Sequence, residues 1–257
     1  MTQDVDRAMA AGRIVSAYLA ETKSECLRVL RSPAFVIPIL ALPVGFYLLL
    51  GVAMAGMRTE RPGSASVVIF VSFLIYGMLA PGLLGVSSLL ASDRAQRILE
   101  YKRALPAPFG SVIVAKLLMA VALSLGVVVL ITALGATLAR VPLTGGQLVA
   151  AGAIALAGVA PISAIGLYLA TRAAPSGVSA IAGGLLVAMA ILAGLFYPLP
   201  GMLHALRLIW PTYHIQQLSL AVLGASAGGA QWQHVAALIG FTLVFGFLAA
   251  RRLVRPD

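Results

Sequence analysis

Residues 91–116 form the one strongly charged segment in the interior of this 257-residue chain, and recognition or chemistry would be expected there. Long apolar runs precede and follow the segment. A short helix with an apolar patch surrounded by charge is a surface on which a soluble partner docks. An ordinary solvated loop between two apolar runs would have the same composition, and the residue types alone leave both interpretations open. The charged residues are Asp93, Arg94, Arg97, Glu100, Lys102, Arg103 and Lys116.

Motifs for catalysis and metal binding are missing from the sequence. There is no GxxxxGK phosphate loop followed by Ser or Thr, so we expect that the chain does not hydrolyse ATP itself. Cys26 is the single cysteine, which excludes an internal disulfide and a cysteine metal cluster. His204 and His214 have no carboxylate near them in the sequence, so interfacial hydrogen bonding is favoured over a metal site. We predict no catalytic residue, no metal and no cofactor held by this chain.

The composition is that of a membrane protein. Hydrophobic residues make up 61% of the chain and charged residues only 10%, against about 25% charged in an average soluble protein. Backbone groups in lipid must be hydrogen-bonded within their own segment, so long apolar runs predict helices. The net charge of +10 does not indicate a nucleic-acid partner, because the basic residues are dispersed among the loops. We predict an all-α, polytopic membrane protein.

Six apolar runs are long enough to cross a bilayer, which takes about 20 residues, and they predict one transmembrane domain over residues 1–257. The predicted spans are 34–54, 67–90, 110–138, 148–170, 178–197 and 235–250. Residues 1–33 have apolar positions at helical spacing, which is typical of an amphipathic helix in the membrane interface. A cytosolic amphipathic helix packed on a partner would show the same pattern. The positions predicted to fall largely on its polar side are Arg13, Glu21, Lys23, Glu25 and Arg28.

Residues 198–231, between the last two spans, have a different character. Proline, glycine, histidine and aromatic residues are frequent, and the apolar pieces are too short to span a membrane. This pattern predicts an extracytoplasmic helical hairpin, either re-entrant or interfacial, with aromatic residues at the level of the headgroups.

The distribution of basic residues predicts the orientation. With six spans both termini lie on one side, and 14 of the 18 Lys and Arg residues lie on that side, as does the loop 91–109. The positive-inside rule therefore puts the termini and this loop in the cytoplasm. Apart from Lys116, the spans contain no charged residue within the predicted boundaries, which argues against a proton-coupled carrier. Lys116, at the mouth of the third span, is expected to snorkel to the interface.

In order and spacing, these segments resemble the membrane subunits of type-2 ABC exporters, which are half-size permeases that pair with a separate ATPase. The resemblance covers nearly the whole chain, from the amphipathic helix through the six spans. Two departures are that the family often has Glu at position 93 and a Gly-Thr pair at positions 97–98. The residues that support the resemblance are Asp93-Arg94, Leu99-Glu100, Pro106 or Pro108, Lys116, Phe196-Tyr197-Pro198 and Pro211.

The resemblance implies a coupling helix near Ser92–Leu105, in the coupling loop 91–109, that docks in a groove of the ATPase. ATP and magnesium would be bound by that partner, and closure of two ATPase copies would switch the spans between inward- and outward-facing states. The residues it implies for coupling are Asp93, Arg94, Arg97, Ile98, Leu99, Glu100, Tyr101, Lys102 and Arg103. Those it implies for an external gate at the exit are Tyr197, Pro198, Pro200, Trp210, Pro211 and Tyr213.

The resemblance also implies a second permease copy, as a homodimer or a heterodimer, and a bacterial cytoplasmic membrane as the location. The direction, export, rests on the resemblance alone. A self-sufficient channel or secondary carrier remains the alternative function, and an assembly factor or intramembrane enzyme is a third. The uncharged spans, rich in small residues, predict an apolar or amphipathic cargo.

Overall fold

The computed structural model describes residues 2–54, 65–105, 107–197, 201–225 and 229–254, and no strand occurs within these ranges. Six stretches of helix there are long and apolar enough to cross a membrane. The prediction of an all-α, six-span protein is therefore confirmed. In chain order the helices are α1 (Thr2–Leu30), α2 (Pro33–Met54), α3 (Ala65–Leu79), α4 (Val86–Ala95), α5 (Ile98–Ala104), α6 (Gly110–Thr137), α7 (Gly145–Ala157), α8 (Val159–Ala170), α9 (Pro175–Leu192), α10 (Pro211–Val222) and α11 (Gln231–Val254).

The second span lies at the centre of the bundle. It consists of α3 and α4 joined by a π-helical segment, Ala80–Gly85, and it is the most buried of the six spans, whereas α11 is the least. Pro81, near the start of this segment, has no backbone N–H to donate. The N–H of Val86 bonds back to the carbonyl of Pro81, five residues earlier. The irregular turn therefore keeps its backbone paired inside the bundle.

Helix α8 crosses this π segment at a distance that leaves little room for a Cβ atom. A Cβ on Gly166 would lie 3.0 Å from the carbonyl oxygens of both Gly82 and Leu83. Both oxygens belong to the backbone, so neither can rotate away. Small residues allow membrane helices to approach this closely, and here they fix α8 against the irregular turn of the central span.

Several helix ends differ from the predicted boundaries. α4 continues to Ala95, so the first residues of the predicted loop 91–109 are still helical. α9 ends at Leu192, before the predicted end of the fifth span at 197. Gly194, with a φ of +74°, turns the chain there, and the N–H of Leu195 caps the helix by bonding to the carbonyl of Ala190.

The segment before the last span contains two short helices. A 3₁₀ helix runs over Gly201–Ile209, and α10 follows after Trp210. Neither is long enough to cross a bilayer, and α10 packs against α3, α7 and α11. Whether this segment is re-entrant stays a prediction, and the predicted gate residues Pro198 and Pro200 lie outside the described residues.

Gly166→Ala is expected to destabilise the folded protein by about 1–3 kcal/mol, because the added methyl group forces α8 away from the central span. Gly183→Ala in α9 is the matched control, since no atom lies within 4 Å of a Cβ there. Alanine is also the better helix former, by about 1 kcal/mol. Thermal unfolding of both purified variants in one detergent measures the difference. Equal unfolding temperatures would contradict the close contact at Gly166.

Candidate functional site

The predicted coupling segment is a helix that stops, turns and begins again. α4 ends at Ala95, and α5 begins at Ile98 after Arg97, whose φ of 58° lies in the left-handed region. A residue with a side chain pays about 1–2 kcal/mol for this conformation, which glycine adopts without strain. Position 97 is where the resemblance leads us to expect glycine. The turn directs Leu99 into the bundle and leaves Glu100 exposed.

The outer surface of this segment combines apolar area with charge. Tyr101 is 68% exposed and Leu105 is 42% exposed, and Arg97 and Glu100 are exposed beside them. We call these four residues the α5 face. Aromatic and apolar side chains ringed by charge are typical of a surface that binds another protein.

Other cations of the segment hold it to three different helices. Arg94, Lys102 and Arg103 each contact a polar group on a different helix, and these contacts fix the segment against the bundle. Arg103 also lies 5.0 Å over the ring of Phe109. The contacts are from Arg94 Nη1 to the carbonyl of Ala170 at the end of α8 (2.7 Å), from Lys102 to the carboxylate of Glu21 in α1, and from Arg103 to the carbonyl of Leu253 in α11.

Asp93 lies beneath this surface, in a buried group of charges. Lys116 Nζ of α6 is 2.6 Å from Asp93 Oδ2 and 2.6 Å from Glu25 Oε1 of α1. Arg28 Nη1, also from α1, is 2.7 Å from Asp93 Oδ1. Asp93 and Lys116 are fully buried and Glu25 is nearly so, while Arg28 reaches the surface. We call these four residues the buried ion cluster.

The buried ion cluster corrects three expectations from the sequence. Lys116 does not snorkel, because two carboxylates hold its ammonium inside. The polar side of α1 is not turned wholly away from the bundle, since Glu25 faces inward. The second span is not free of charge, because it continues to Ala95 and so includes Asp93 and Arg94.

The placement of Asp93 and Leu99 also bears on the predicted docking surface. Both side chains are buried, so in this conformation neither touches a partner directly. Ile98, Arg94 and Lys102 are partly buried. Of the nine residues assigned to coupling, the exposed ones are Arg97, Glu100, Tyr101 and Arg103.

The charges of the buried ion cluster balance, with two carboxylates and two cations. A charge in a low-dielectric interior is tolerated only when it is paired and hydrogen-bonded. Desolvation lowers the pKa of Arg28, but its hydrogen bond to Asp93 and the nearby charges of Glu25 and Asp93 outweigh that effect and raise it. The cluster joins α1, α4 and α6 through groups that cannot separate without exposing an unpaired charge.

The apolar residues of α1 lie largely on its outer side. α1 packs on α6 through residues that include Glu25 and Val29, and its outer side is available to a lipid interface or a partner. That arrangement fits the predicted interfacial helix, and which of the two covers it stays a prediction. The exposed apolar residues are Ile14, Val15, Leu19, Leu27 and Leu30.

The predicted gate lies at the other end of the central span. Tyr197 is 79% exposed, Trp210 is half-buried, and Pro211 and Tyr213 are buried. Tyr197 and Tyr213 line one cavity of about 240 Å³. Arg207 lies 4.8 Å over the ring of Tyr213. The structure therefore brings the two tyrosines to one site.

Hydrogen bonds fix α10 to the second and fifth spans next to the predicted gate. Gln216 Nε2 donates to Ser72 Oγ in α3 (3.1 Å) and to the carbonyl of Leu195 (3.3 Å). Thr212 Oγ1 donates to the carbonyl of Met189 in α9 (3.0 Å). These polar groups are buried and satisfy one another, so they fix α10 against the second and fifth spans.

A pair of histidines joins α10 to the last span. His214 Nδ1 lies 2.9 Å from His234 Nδ1, and His214 Nε2 lies 3.0 Å from the carbonyl of Leu208. The carbonyl can only accept, so we assign the proton of neutral His214 to Nε2, with His234 donating to Nδ1. From the sequence, His214 was considered together with His204, whose side chain lies outside the described part of the structure, and His234 was missed.

An aromatic cavity of about 250 Å³ opens between the first, second and fifth spans. The ring centroids of Phe73 and Phe196 are 4.9 Å apart, and those of Tyr76 and Phe196 are 5.7 Å apart. The rest of the lining is aliphatic apart from Phe46. Such a cavity accepts apolar or aromatic groups.

The helices, their apolar length and the braced charged end define a multi-pass helical membrane protein. The family model for the ABC-2 type transporter matches residues 16–225. The chain therefore belongs to the ABC-2 type transporter family and is a permease component of a transporter, not a catalytic domain. No curated protein matches its sequence.

Lys116→Met is expected to destabilise the protein by about 3–5 kcal/mol, because Asp93 and Glu25 would stay buried without their shared cation. Lys23→Met, at an exposed position of α1, is the matched control and should change stability by about 0.5 kcal/mol or less. Thermal unfolding measures both. Combining Glu25→Gln with Lys116→Met should cost less than the sum of the single losses, and strictly additive losses would contradict the contact.

Acidification is expected to destabilise the end of the bundle that contains α10, through His214. Desolvation lowers its pKa below the usual 6.5, the nearby His234 lowers it further, and the hydrogen bond to Leu208 opposes both. The imidazole of His214 therefore binds a proton more readily in the unfolded chain than in the folded protein. The stability that neutral His214 contributes is complete above about pH 6.5, the pKa in the unfolded chain, and it is lost as the pH falls through the lower pKa of the folded protein. The unfolding temperature should therefore fall less between about pH 7.5 and about pH 5 in His214→Asn than in wild type. An equal fall in unfolding temperature in His214→Asn and in wild type would contradict the role of His214.

Proposed function

We propose that this permease is the membrane subunit of an ATP-driven exporter and that a separate ATPase docks on the α5 face. The observation that supports the proposal best is the exposed pair Tyr101 and Leu105 beside Arg97 and Glu100. Apolar area of this kind has no partner within the described part of the chain, and a tyrosine at the centre of a charged rim is a common binding hot spot. Membership of the ABC-2 family supports the same partner.

The bracing of the segment supports a mechanical role for it. Arg94, Lys102 and Arg103 contact α8, α1 and α11, and Asp93 connects α4 to α6 through Lys116. A displacement of α5 by a closing ATPase would therefore move several helices together. Packed elements joined by buried ion pairs transmit displacement because they do not deform gradually.

The assembly we propose has two permease copies and two ATPase copies, with ATP and magnesium on the ATPases. Each permease supplies half of the pathway, as a homodimer or as a heterodimer with a similar chain. The excess of Lys and Arg at the end that contains α5 supports a cytoplasmic location for that end and for both termini. We place the complex in a bacterial cytoplasmic membrane.

The cargo we propose is apolar or amphipathic, and its direction is export. The aromatic cavity of Phe73, Tyr76 and Phe196 supports an apolar cargo. Tyr197 and Tyr213 line the cavity at the outer end, where a gate would act. Transport of only a highly charged polysaccharide by the purified complex would contradict this cargo class.

The competing function is a channel or carrier that works without an ATPase. Buried charges within spans are the usual mark of an ion pathway, and Asp93 and Lys116 are such charges. Both lie at one end of the bundle and neutralise each other. This arrangement favours a structural junction over a relay across the membrane.

Tyr101→Ala is expected to weaken ATPase binding by about 2 kcal/mol, or about 30-fold in Kd, because a central aromatic anchor is lost. Tyr197→Ala is the matched control, since this tyrosine is also largely exposed, at 79% against 68% for Tyr101, but lies at the opposite end of the bundle. Copurification of the ATPase and its rate of hydrolysis in the complex measure the effect. Glu100→Arg should act like Tyr101→Ala.

Two results would contradict the docking surface. One is undiminished ATPase binding by both Tyr101→Ala and Glu100→Arg. The other is an equal loss of ATPase binding with Tyr197→Ala. Transport that continues at the wild-type rate in a membrane without any ATPase would instead support the carrier.

A further inference from the structure

The cavity of about 240 Å³ beside α10 has a cation in its wall. Arg207, in the 3₁₀ helix before α10, lines it together with Tyr197 and Tyr213. Apart from Gln216, the remaining lining residues are apolar, and none of the lining residues is acidic. Apolar walls with a few placed polar groups are typical of a site for an organic ligand. We call it the Arg207 cavity.

Arg207 has no anionic partner within the described part of the chain. Its side chain makes no ion pair or hydrogen bond there, and its Nε–H is buried without an acceptor. A half-buried guanidinium without acceptors is unfavourable, so the oxygens of a ligand would stabilise it. The acidic residues whose side chains are described belong to α1, α4 or α5, at the opposite end of the bundle, and they are Glu21, Glu25, Asp93 and Glu100.

The guanidinium of Arg207 is held in position by an aromatic ring. It lies 4.8 Å over the ring of Tyr213, and α10, which carries Tyr213, is fixed by the hydrogen bonds of Thr212 and Gln216. A ring face attracts a cation but leaves its N–H donors available for a ligand. A guanidinium fixed in this way binds the oxygens of a carboxylate or a phosphate well, because little freedom is lost on binding.

The Arg207 cavity adjoins the aromatic cavity described above. Phe196 lines both of them, and the aromatic cavity is otherwise lined by Phe46, Phe73, Tyr76 and aliphatic residues. A cationic site and an apolar site therefore lie on either side of one phenylalanine. This arrangement matches a molecule with an anionic group at one end and an apolar body next to it.

We propose that the Arg207 cavity binds the anionic group of an amphipathic molecule, whose apolar part extends past Phe196 toward the aromatic cavity. Arg207 contacts the anionic group and distinguishes acidic ligands from neutral ones. Such a molecule is either cargo or a membrane lipid. We assign it to cargo, because the predicted gate residues Tyr197 and Tyr213 line the same cavity. That assignment rests on the proposed exporter function, whereas the binding site itself does not.

The test compares two probes of the same shape that differ in charge, naphthalene-2-sulfonate and naphthalene-2-sulfonamide. The full-length chain is purified in a neutral detergent, and isothermal titration calorimetry gives the Kd of each probe, with protein-free micelles as the blank. We expect wild type to bind the sulfonate about tenfold more tightly, because hydrogen bonds between charged groups are stronger than those to a neutral group. No ATPase is present, so failure of this test leaves the proposed exporter function standing.

Three variants separate the charge of Arg207 from its structural contact. Arg207→Gln should abolish the preference for the sulfonate and leave the Kd of the sulfonamide unchanged, whereas a merely structural role would weaken the binding of both probes. Arg207→Lys keeps the charge and should retain part of the preference, since an ammonium lacks the planar fork of donors. Arg140→Gln is the matched control, because it removes an exposed arginine between α6 and α7, outside the cavity.

A second set of titrations distinguishes cargo from lipid. Phosphatidylglycerol, or phosphatidylcholine with the same acyl chains, is added to the micelles before the sulfonate. We expect the Kd of the sulfonate to be the same with either lipid. Weaker sulfonate binding with phosphatidylglycerol alone, in wild type but not in Arg207→Gln, would overturn the cargo assignment and give the cavity to an anionic lipid.

Other outcomes would overturn the site itself. They are absent sulfonate binding or equal Kd values for the two probes in wild type, a preference that survives in Arg207→Gln, and an equal loss of the preference in Arg140→Gln. Inorganic sulfate that binds as tightly as the naphthalene sulfonate would overturn the amphipathic ligand, since the apolar walls would then contribute nothing to binding.

Discussion

The ion pairs of Lys116 with Asp93 and Glu25 are the constraint on which the charged end of this protein depends. An ammonium group without water needs negative partners at hydrogen-bonding distance, and both carboxylates are supplied by other helices. Because none of the three groups can stay buried alone, α1, α4 and α6 have to meet there. The amphipathic N-terminal helix is thus part of the bundle and not only an attachment to its surface.

The same short segment divides its charges between two tasks. Asp93, Arg94, Lys102 and Arg103 contact other helices, while Arg97 and Glu100 are left at the surface with Tyr101. A surface that is to receive force from a partner has to be both accessible and firmly attached. The left-handed turn at Arg97 changes the direction of the chain between α4, which carries Asp93 and Arg94, and α5, which carries the rest.

Within the described residues, the end of the bundle that contains α10 is held by neutral hydrogen bonds instead of ion pairs. Gln216, Ser72 and the carbonyl of Leu195 join α10 to the second and fifth spans, and His214 joins it to the sixth through His234. Breaking a neutral hydrogen bond costs less free energy than breaking a buried ion pair. The central second span therefore connects an end held by buried ion pairs to an end held by neutral hydrogen bonds.

The sequence by itself determined the fold class, the number of spans and the position of the charged segment. Long apolar runs leave helices as the only way to pair the backbone in lipid, and a charged segment between them is visible without knowing any contact. Two helix ends were less accurate: α4 continues past the charged Asp93 to Ala95, and α9 ends early at Leu192, where Gly194 turns the chain. Asp93 lies inside a long helix, which its residue type alone would not suggest.

Only the tertiary structure decided which charges are buried and with what partner. Helical periodicity shows which residues share a face, but not what lies opposite that face. Glu25 and Lys116 are 91 residues apart, and His214 and His234 meet across two helices. An ammonium at the end of an apolar helix reaches water if no carboxylate is near and stays inside if two are present. That choice depends on how the helices pack.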